Sequence, residues 1–181
     1  MKNKNNIPFA YFLTFRTYGS WLHGDPRLSV DPKHNIYGTP RISANLGLLD
    51  TMKKECKEDE FILETSERNT VLESIIETCN YNHWYLHAAH VRTNHVHIIL
   101  QSNNLGKKTI AILKTYATKA LKRNHSALLQ RKKYWSKGGS AKFITGPDYL
   151  PSVMDYVIEQ QGERMALYYE NTSIQSWFRS R

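Results

Sequence analysis

The sequence predicts an α+β fold in which helices pack on an antiparallel sheet. Segments rich in aromatic and β-branched residues, typical of strands, alternate with segments whose apolar residues repeat at helical spacing. Their order is strand, helix, strand, strand, helix, strand, which is the pattern of split βαβ units. A further helix follows the last strand. The fold class we predict is therefore a ferredoxin-like split βαβ sandwich with an additional C-terminal helix and an N-terminal loop insertion.

The N-terminal third begins with a strand and continues as a loop. Phe9–Arg16 is rich in aromatic residues and predicts the first strand. The stretch that follows is dense in Gly, Pro, Asp and Asn, which predicts a long loop. We interpret residues 18–65 as a variable insertion that carries a short exposed helix at Lys53–Glu60.

The central elements are a helix and a hairpin. An apolar repeat over Val71–Cys79 predicts the first core helix, with Ser66 or Asn69 as its N-cap. Trp84–Val91 and His95–Gln101 both read as strands, and the short connection between them predicts a hairpin.

Three elements complete the pattern. Lys107–Arg123 predicts an amphipathic helix with one basic face. Ser140–Thr145 predicts the last short strand. Pro151 suits the first position of a helix, and Gly162 suits its end, so residues 151–162 are the predicted C-terminal helix.

The totals favour one domain in a reducing compartment. A chain of 181 residues with 40% hydrophobic residues can bury a single core. Its two cysteines are too few for a disulfide framework, and their spacing matches no metal motif. The sequence has neither the apolar run of a transmembrane helix nor that of a signal peptide. We expect a cytoplasmic protein with no membrane partner.

The net charge of +9 is concentrated in one region. From Thr78 to Pro147 there is no Asp or Glu, and these 70 residues contain 12 Lys and Arg. A region of this kind attracts phosphate groups, although a basic face can also serve solubility alone. The complete lack of carboxylates favours nucleic-acid binding.

The segment His95-Val96-His97 is the first candidate for chemistry. Residues two apart in a strand point to the same side, so the two imidazoles project together and could hold one divalent metal ion. The side chains of the alternate residues of this strand point to its other side and are expected in the core; they are Val96, Ile98 and Leu100. Two unrelated histidines at a strand edge remain the alternative.

The second candidate lies in the C-terminal helix. Tyr156 and Gln160 are four positions apart, so a helix places the phenol and the amide on one face. A tyrosine that packs at a helix boundary is the alternative for this motif taken alone.

Together the two motifs resemble the HUH single-tyrosine transposases, which include bacterial insertion-sequence transposases and REP-associated tyrosine transposases. The resemblance implies one domain over residues 1–181, with the nucleophile on the 151–162 helix. It implies Tyr156 as the catalytic residue, and His95, His97 and Gln160 as the ligands of Mg²⁺ or Mn²⁺.

The same resemblance implies an activity and a partner. The enzyme would be a metal-dependent, nucleoid-associated transposase or endonuclease that cleaves and rejoins single-stranded DNA through a 5′-phosphotyrosine. The enzyme would recognise hairpin DNA. The resemblance is compatible with a homodimer and with a monomer. Covalent catalysis suits this chemistry because it conserves the energy of the phosphodiester bond.

Tyr116 is the competing nucleophile. It also follows the histidines in sequence, but the fourth residue after it is Ala120, which cannot bind a metal ion. We therefore predict a core or DNA-contacting role for Tyr116.

DNA binding is expected from the region without carboxylates. Trp84, Tyr134 and Trp135 are aromatic residues that could stack on unpaired bases or belong to the core. The predicted phosphate contacts are Lys107, Lys108, Lys114, Lys119, Lys122, Arg123, Arg131, Lys132 and Lys133.

Two other functions compete with the enzyme. The first is a structural zinc module built from the histidines between His83 and His97, although strand alternation places His87 and His90 on opposite faces. The second is a domesticated protein of the same fold that binds hairpin or single-stranded DNA without cutting it. The sequence favours the enzyme, because a binding module needs neither Tyr156 nor Gln160.

Overall fold

The computed structural model describes residues 8–22, 25 and 45–170. These residues form nine regular elements, apart from two short 3₁₀ turns. They are β1 (Ala10–Arg16), α1 (Leu46–Lys54), α2 (Thr65–Tyr81), β2 (Tyr85–Val91), β3 (His95–Gln101), α3 (Gly106–Asn124), β4 (Ser140–Ile144), α4 (Leu150–Ile158) and β5 (Ala166–Tyr169).

The five strands form one antiparallel sheet in the order β4-β1-β3-β2-β5. β2 and β3 form the predicted hairpin, which is closed by a 2.8 Å hydrogen bond from the Arg92 amide to the His95 carbonyl. The antiparallel sheet with its helices confirms the predicted α+β class. No helix in the described part of the chain is long and apolar enough to cross a membrane.

The two faces of the sheet have different covers, because neighbouring side chains in a strand point in opposite directions. Leu13 and Phe15 of β1 face α2 and α3 and belong to the larger core. Ala10 of β1 and Ile99 of β3 face α4 and belong to a second, smaller core. We call these surfaces the α2–α3 face and the α4 face.

The predicted insertion is partly core. The helix expected at Lys53–Glu60 lies earlier, at Leu46–Lys54, and is followed by a turn and by residues 59–64, which are neither helix nor strand. Phe61 and Leu63 in this segment are buried, and their amides donate to the carbonyls of Tyr18 and Thr93 at 2.8 and 2.7 Å. Backbone hydrogen bonds therefore hold the segment that contains Phe61 and Leu63. Such bonds leave no periodic pattern of apolar residues in the sequence. The rest of the 18–65 insertion, residues 23–24 and 26–44, lies outside the described residues.

Helix α2 begins one residue before the earlier of the two predicted N-caps. Its N-cap is Glu64 rather than Ser66 or Asn69. The Glu67 carboxylate accepts a 2.9 Å hydrogen bond from the Glu64 amide, so a reciprocal glutamate contact stabilises this end.

The C-terminal elements differ from the prediction in two ways. Helix α4 covers Leu150–Ile158 instead of the predicted residues 151–162. The chain then turns through Gly162, whose φ of 77° is easily reached only by glycine. This turn leads into β5, a strand that was not predicted, which pairs with β2 at the sheet edge.

Candidate active site

His95 and His97 project from β3 onto the α4 face, with their ring centroids 4.8 Å apart. The intervening and following residues Val96, Ile98 and Leu100 are buried in the larger core on the opposite face. The alternation predicted for this strand is confirmed. The two imidazoles therefore share one face of the sheet.

Each of these rings is held by a hydrogen bond at Nδ1. The Nδ1 atom of His95 lies 2.8 Å from the Asn94 side-chain oxygen, which can only accept, so this Nδ1 carries the proton. The Nδ1 atom of His97 lies 2.9 Å from the hydroxyl of Thr14 on the neighbouring strand β1. Nδ1 is thus occupied in both rings, and Nε2 is the nitrogen that remains for a ligand.

Tyr156 lies beside this pair. Its ring centroid is 5.8 Å from that of His97 and 5.8 Å from that of Phe12, in edge-to-face geometry. Phe12 in turn stacks on His97 at 5.5 Å. Tyr156 is nevertheless 40% exposed, so its phenol is both positioned by aromatic contacts and accessible.

The structure brings a different glutamine to the histidines from the one predicted. The amide of Gln160 is exposed and donates to the Asp155 carboxylate at 2.7 Å. The amide of Gln161 donates to the Tyr156 carbonyl at 2.9 Å, and its side chain lies beside the rings of His95 and His97. The reason is that α4 ends at Ile158, so four-residue spacing no longer decides which side chain returns to the face of Tyr156.

Burial keeps both imidazoles neutral. It is the main cause that lowers the pKa of His95 to about 4 and that of His97 to about 3. The guanidinium groups of Arg92 and Arg16 lower the pKa of His95 further, and the His95 ring lowers that of His97. A neutral imidazole is the form that binds a metal ion. Two neutral imidazoles beside a glutamine amide are groups that a divalent metal ion can bind.

His90 also reaches the α4 face but has no nitrogen left for a metal ion. Its Nδ1 donates to the Val157 carbonyl at 2.9 Å, and its Nε2 accepts from the Met165 amide at 3.2 Å. A bulge between Leu86 and Ala88 changes the alternation of β2, so His87 and His90 lie on the same face, contrary to the prediction. Among the described residues, no group of three or more His, Cys, Asp or Glu is placed to hold a metal ion.

Tyr116 lies on the other side of the sheet. It belongs to α3, and the Lys119 ammonium is 5.2 Å from its ring centroid. With Tyr81 it lines a groove of about 450 Å³ between α2 and α3. The sheet therefore separates Tyr116 from the histidines.

The predicted DNA-binding cations likewise lie away from the histidines or are engaged elsewhere. Lys114 donates to the carbonyls of Ser136 (2.8 Å) and Gly138, and burial lowers its pKa to about 8. Arg131 is 3.8 Å from the Glu58 carboxylate and also donates to the Asp59 carbonyl. The other predicted cations are those of α3, which packs on the α2–α3 face, and the exposed pair just before Tyr134, namely Lys107, Lys108, Lys119, Lys122, Arg123, Lys132 and Lys133.

The candidate stacking aromatics belong to the fold. Trp84 and Tyr134 are buried. Trp135 is partly buried, donates through Nε1 to the Thr118 hydroxyl at 2.9 Å, and packs edge-on against Phe15. These three rings are part of the larger core or packed against it.

Two cations on the α4 face were not among the predicted contacts. Arg16 pairs with His95 across β1 and β3, and its guanidinium lies 3.8 Å from the ring centroid of Trp21. Lys142 pairs with Phe12 across β4 and β1. Strand alternation in β1 could have placed Arg16 on the face of the histidines, but the position of Lys142 depends on a register that the sequence does not give.

The sequence pattern of the family described as "Transposase IS200 like" matches residues 55–161 of the chain. That span includes both histidines, Tyr156 and both glutamines. No curated protein matches the chain in sequence.

Two solved structures are similar in fold at low sequence identity. A REP-associated tyrosine transposase bound to a REP hairpin is 12% identical with a TM-score of 0.46, over 83% of this chain and 65% of that chain. This chain therefore spans slightly less than two thirds of that transposase. A candidate transposase from Deinococcus radiodurans R1 is 14% identical with a TM-score of 0.42, over 89% of this chain and 98% of that chain. Because the family pattern covers more than half of its length, this chain belongs to the IS200-like transposases, which are the HUH single-tyrosine transposases.

Proposed function

We propose that this chain cleaves and rejoins single-stranded DNA, with Tyr156 as the nucleophile. The observation that carries the proposal is the 5.8 Å separation of the Tyr156 and His97 rings on the α4 face. The competing Tyr116 belongs to α3 on the other face. A phenol that is exposed next to two neutral imidazoles is suited to attack a phosphate held at the same place.

We further propose that His95 and His97 hold a divalent metal ion together with a glutamine oxygen. The Nδ1 contacts of the two rings leave Nε2 for the metal ion, and the side chain of Gln161 lies against both rings. These contacts support Gln161 over Gln160 as the amide ligand. When bound, Mg²⁺ or Mn²⁺ supplies Lewis-acid polarisation of the scissile phosphate.

The reaction balances as a transesterification. The Tyr156 oxygen forms a bond to phosphorus, the bond from phosphorus to the 3′ oxygen breaks, and a 5′-phosphotyrosine and a free 3′-hydroxyl result. The phenol loses its proton to solvent, and the leaving oxygen gains one. Phe12 and His97 stack on each other and both contact the Tyr156 ring, so the phenol meets the phosphate with little further ordering. The reverse attack by a 3′-hydroxyl rejoins the strand.

The substrate we propose is a DNA hairpin with flanking single strand, as the family resemblance implies. The cations of the α2–α3 face would contact the duplex part of the hairpin, away from the phosphate that is cleaved, since the sheet separates these cations from Tyr156. Contacts of this kind position DNA without reading its sequence.

The test is covalent capture of DNA. Purified protein is mixed with end-labelled hairpin DNAs and Mn²⁺ and is then separated on a denaturing gel. We expect a shifted protein–DNA band that is lost in Tyr156→Phe and retained in Tyr116→Phe, which removes the same hydroxyl group from an equally exposed ring.

Each other outcome has a definite meaning. Loss of the band only in Tyr116→Phe would keep the activity and overturn the assignment of Tyr156. Tight hairpin binding without any adduct, over a wide range of hairpin sequences, would leave the non-cutting DNA-binding protein as the function.

A further inference from the structure

We propose that Lys142 binds a backbone phosphate next to the scissile one, so that the cleaved strand enters the site over the β4 edge of the sheet. This inference rests on the proposed function. It adds a DNA contact that lies outside the basic helix and outside the predicted set of cations.

The register of β4 places Lys142 on the face of the candidate site. Lys142 is the cross-strand partner of Phe12, and Phe12 contacts both His97 and Tyr156. Directly paired residues in antiparallel strands point to the same side. Ile144, two residues further along β4, is in the smaller core under α4, which confirms the alternation.

The distance suits a neighbouring phosphate. Adjacent strands are about 4.8 Å apart, so the backbone of Lys142 lies about 10 Å from that of β3, with β1 between them. A lysine side chain can reach over part of this distance. Its ammonium therefore serves a phosphate beside the reacting one better than the group attacked by Tyr156.

Lys142 is available for such a contact. It is exposed, and in the described part of the chain its side chain forms no hydrogen bond and no ion pair. Lys114 and Arg131, in contrast, are held by backbone carbonyls and by Glu58. An exposed cation without a protein partner can neutralise a phosphate with no contact to break first.

The approach to Lys142 is open on one side. β4 is the last strand of the sheet at this edge, and no described strand pairs beyond it. The opposite edge is β5, on the far side of β2 from the histidines. A strand that reaches Tyr156 over the β4 edge meets Lys142 before it meets Phe12.

The experiment measures binding without cleavage. In the Tyr156→Phe protein, the Kd for a fluorescent unstructured oligonucleotide is determined by anisotropy at several salt concentrations. We expect Lys142→Gln to raise the Kd about tenfold, and to reduce the salt dependence of log Kd by about 0.7, the value for one phosphate contact on a single strand. Lys142→Arg should restore most of the binding.

Two controls make the result specific. Lys54→Gln removes the same charge from the exposed end of α1 and should change the Kd less than twofold, about the size of a general charge effect. A Kd for Lys142→Gln no higher than that for Lys54→Gln would overturn the proposal. An equally large loss in Lys119→Gln would overturn it too, by placing the strand on the α2–α3 face.

The binding comparison is independent of the proposed chemistry. If the wild-type chain forms no adduct but Lys142→Gln alone weakens binding, the nucleophile assignment fails and the DNA contact stands. If adducts form, Lys142→Gln should raise the KM for cleavage and leave kcat within about twofold, because the contact is made before and during the reaction alike.

Discussion

The side-chain amide of Gln161 donates a 2.9 Å hydrogen bond to the backbone carbonyl of Tyr156. This bond links the residue that carries the candidate nucleophile to the glutamine that contacts both histidines. It also orients the amide, because the nitrogen donates to the carbonyl and the oxygen is left for a metal ion.

The first prediction concerns which glutamine is the metal ligand. Gln161→Ala should weaken Mn²⁺ binding at least tenfold, because it removes the amide that lies beside His95 and His97. Gln160→Ala is the matched control and should bind Mn²⁺ like the wild type, since its amide pairs with Asp155. Isothermal titration with MnCl₂ would measure both. A larger loss of Mn²⁺ affinity in Gln160→Ala than in Gln161→Ala would show that Gln160, four residues after Tyr156, is the metal ligand.

The second prediction concerns the orientation of His97. Thr14→Val keeps the shape of the side chain but removes the hydroxyl 2.9 Å from the His97 Nδ1. Loss of such a partner typically lowers metal affinity about 10- to 100-fold, because the ring is no longer held with Nε2 toward the metal ion. Ser140→Ala, at the position paired with Thr14 on β4, serves as the control. Unchanged Mn²⁺ affinity in Thr14→Val would show that packing against Phe12 alone orients the ring.

The third prediction concerns His90 and the stability of the domain. His90→Ala leaves the Val157 carbonyl and the Met165 amide without their partner in a buried place. We expect the free energy of unfolding to fall by about 3 kcal/mol, measured by urea denaturation. His83→Ala, at an exposed turn, should change it by less than about 0.5 kcal/mol. Equal stability of the two variants would mean that other contacts hold α4 and β5 on the sheet.

The fourth prediction concerns the two thiols. Burial raises the pKa of Cys79 to about 12, so this thiol stays protonated and unreactive in the folded protein. At pH 8 we expect a thiol reagent to modify Cys56 quickly and Cys79 only at the rate of unfolding. Because the folded pKa is raised, the protonated Cys79 thiol contributes to the free energy of unfolding. This contribution is complete below the pKa of the unfolded thiol, about 8.5, and is lost as the pH rises from there toward 12. In Cys79→Ala this alkaline loss should be smaller. Rapid modification of Cys79 at pH 8 would show that α2 opens readily.

The sequence predicts the elements whose side chains repeat regularly and fails where tertiary contacts decide. The alternation in β3 correctly separated His95 and His97 from the core residues between and after them. The end of α4 could not be predicted, because the turn at Gly162 and the pairing of β5 with β2 outweigh the helical pattern. The choice between Gln160 and Gln161 depends on that end.

The same limit applies to charge. The absence of carboxylates from Thr78 to Pro147 indicates a basic region, but it does not say which cations share a face with Tyr156. Lys114 and Lys142 both lie in that region, and the fold uses one to bind loop carbonyls and leaves the other exposed. The tertiary positions of the two side chains distinguish them, since Lys114 lies on α3 beside the 136–138 loop and Lys142 lies on β4.

The bulge between Leu86 and Ala88 has a consequence for insertions and deletions in the chain. Because the strand from Ala88 onward pairs regularly with β3, a residue added or removed before Ala88 can be absorbed at the bulge. A residue added or removed between Ala88 and His90 would turn His90 to the opposite face and release α4. Insertions and deletions among related sequences should therefore be found on the N-terminal side of the bulge. They should be missing from Ala88–Val91, the four residues of β2 that pair with β3 after the bulge.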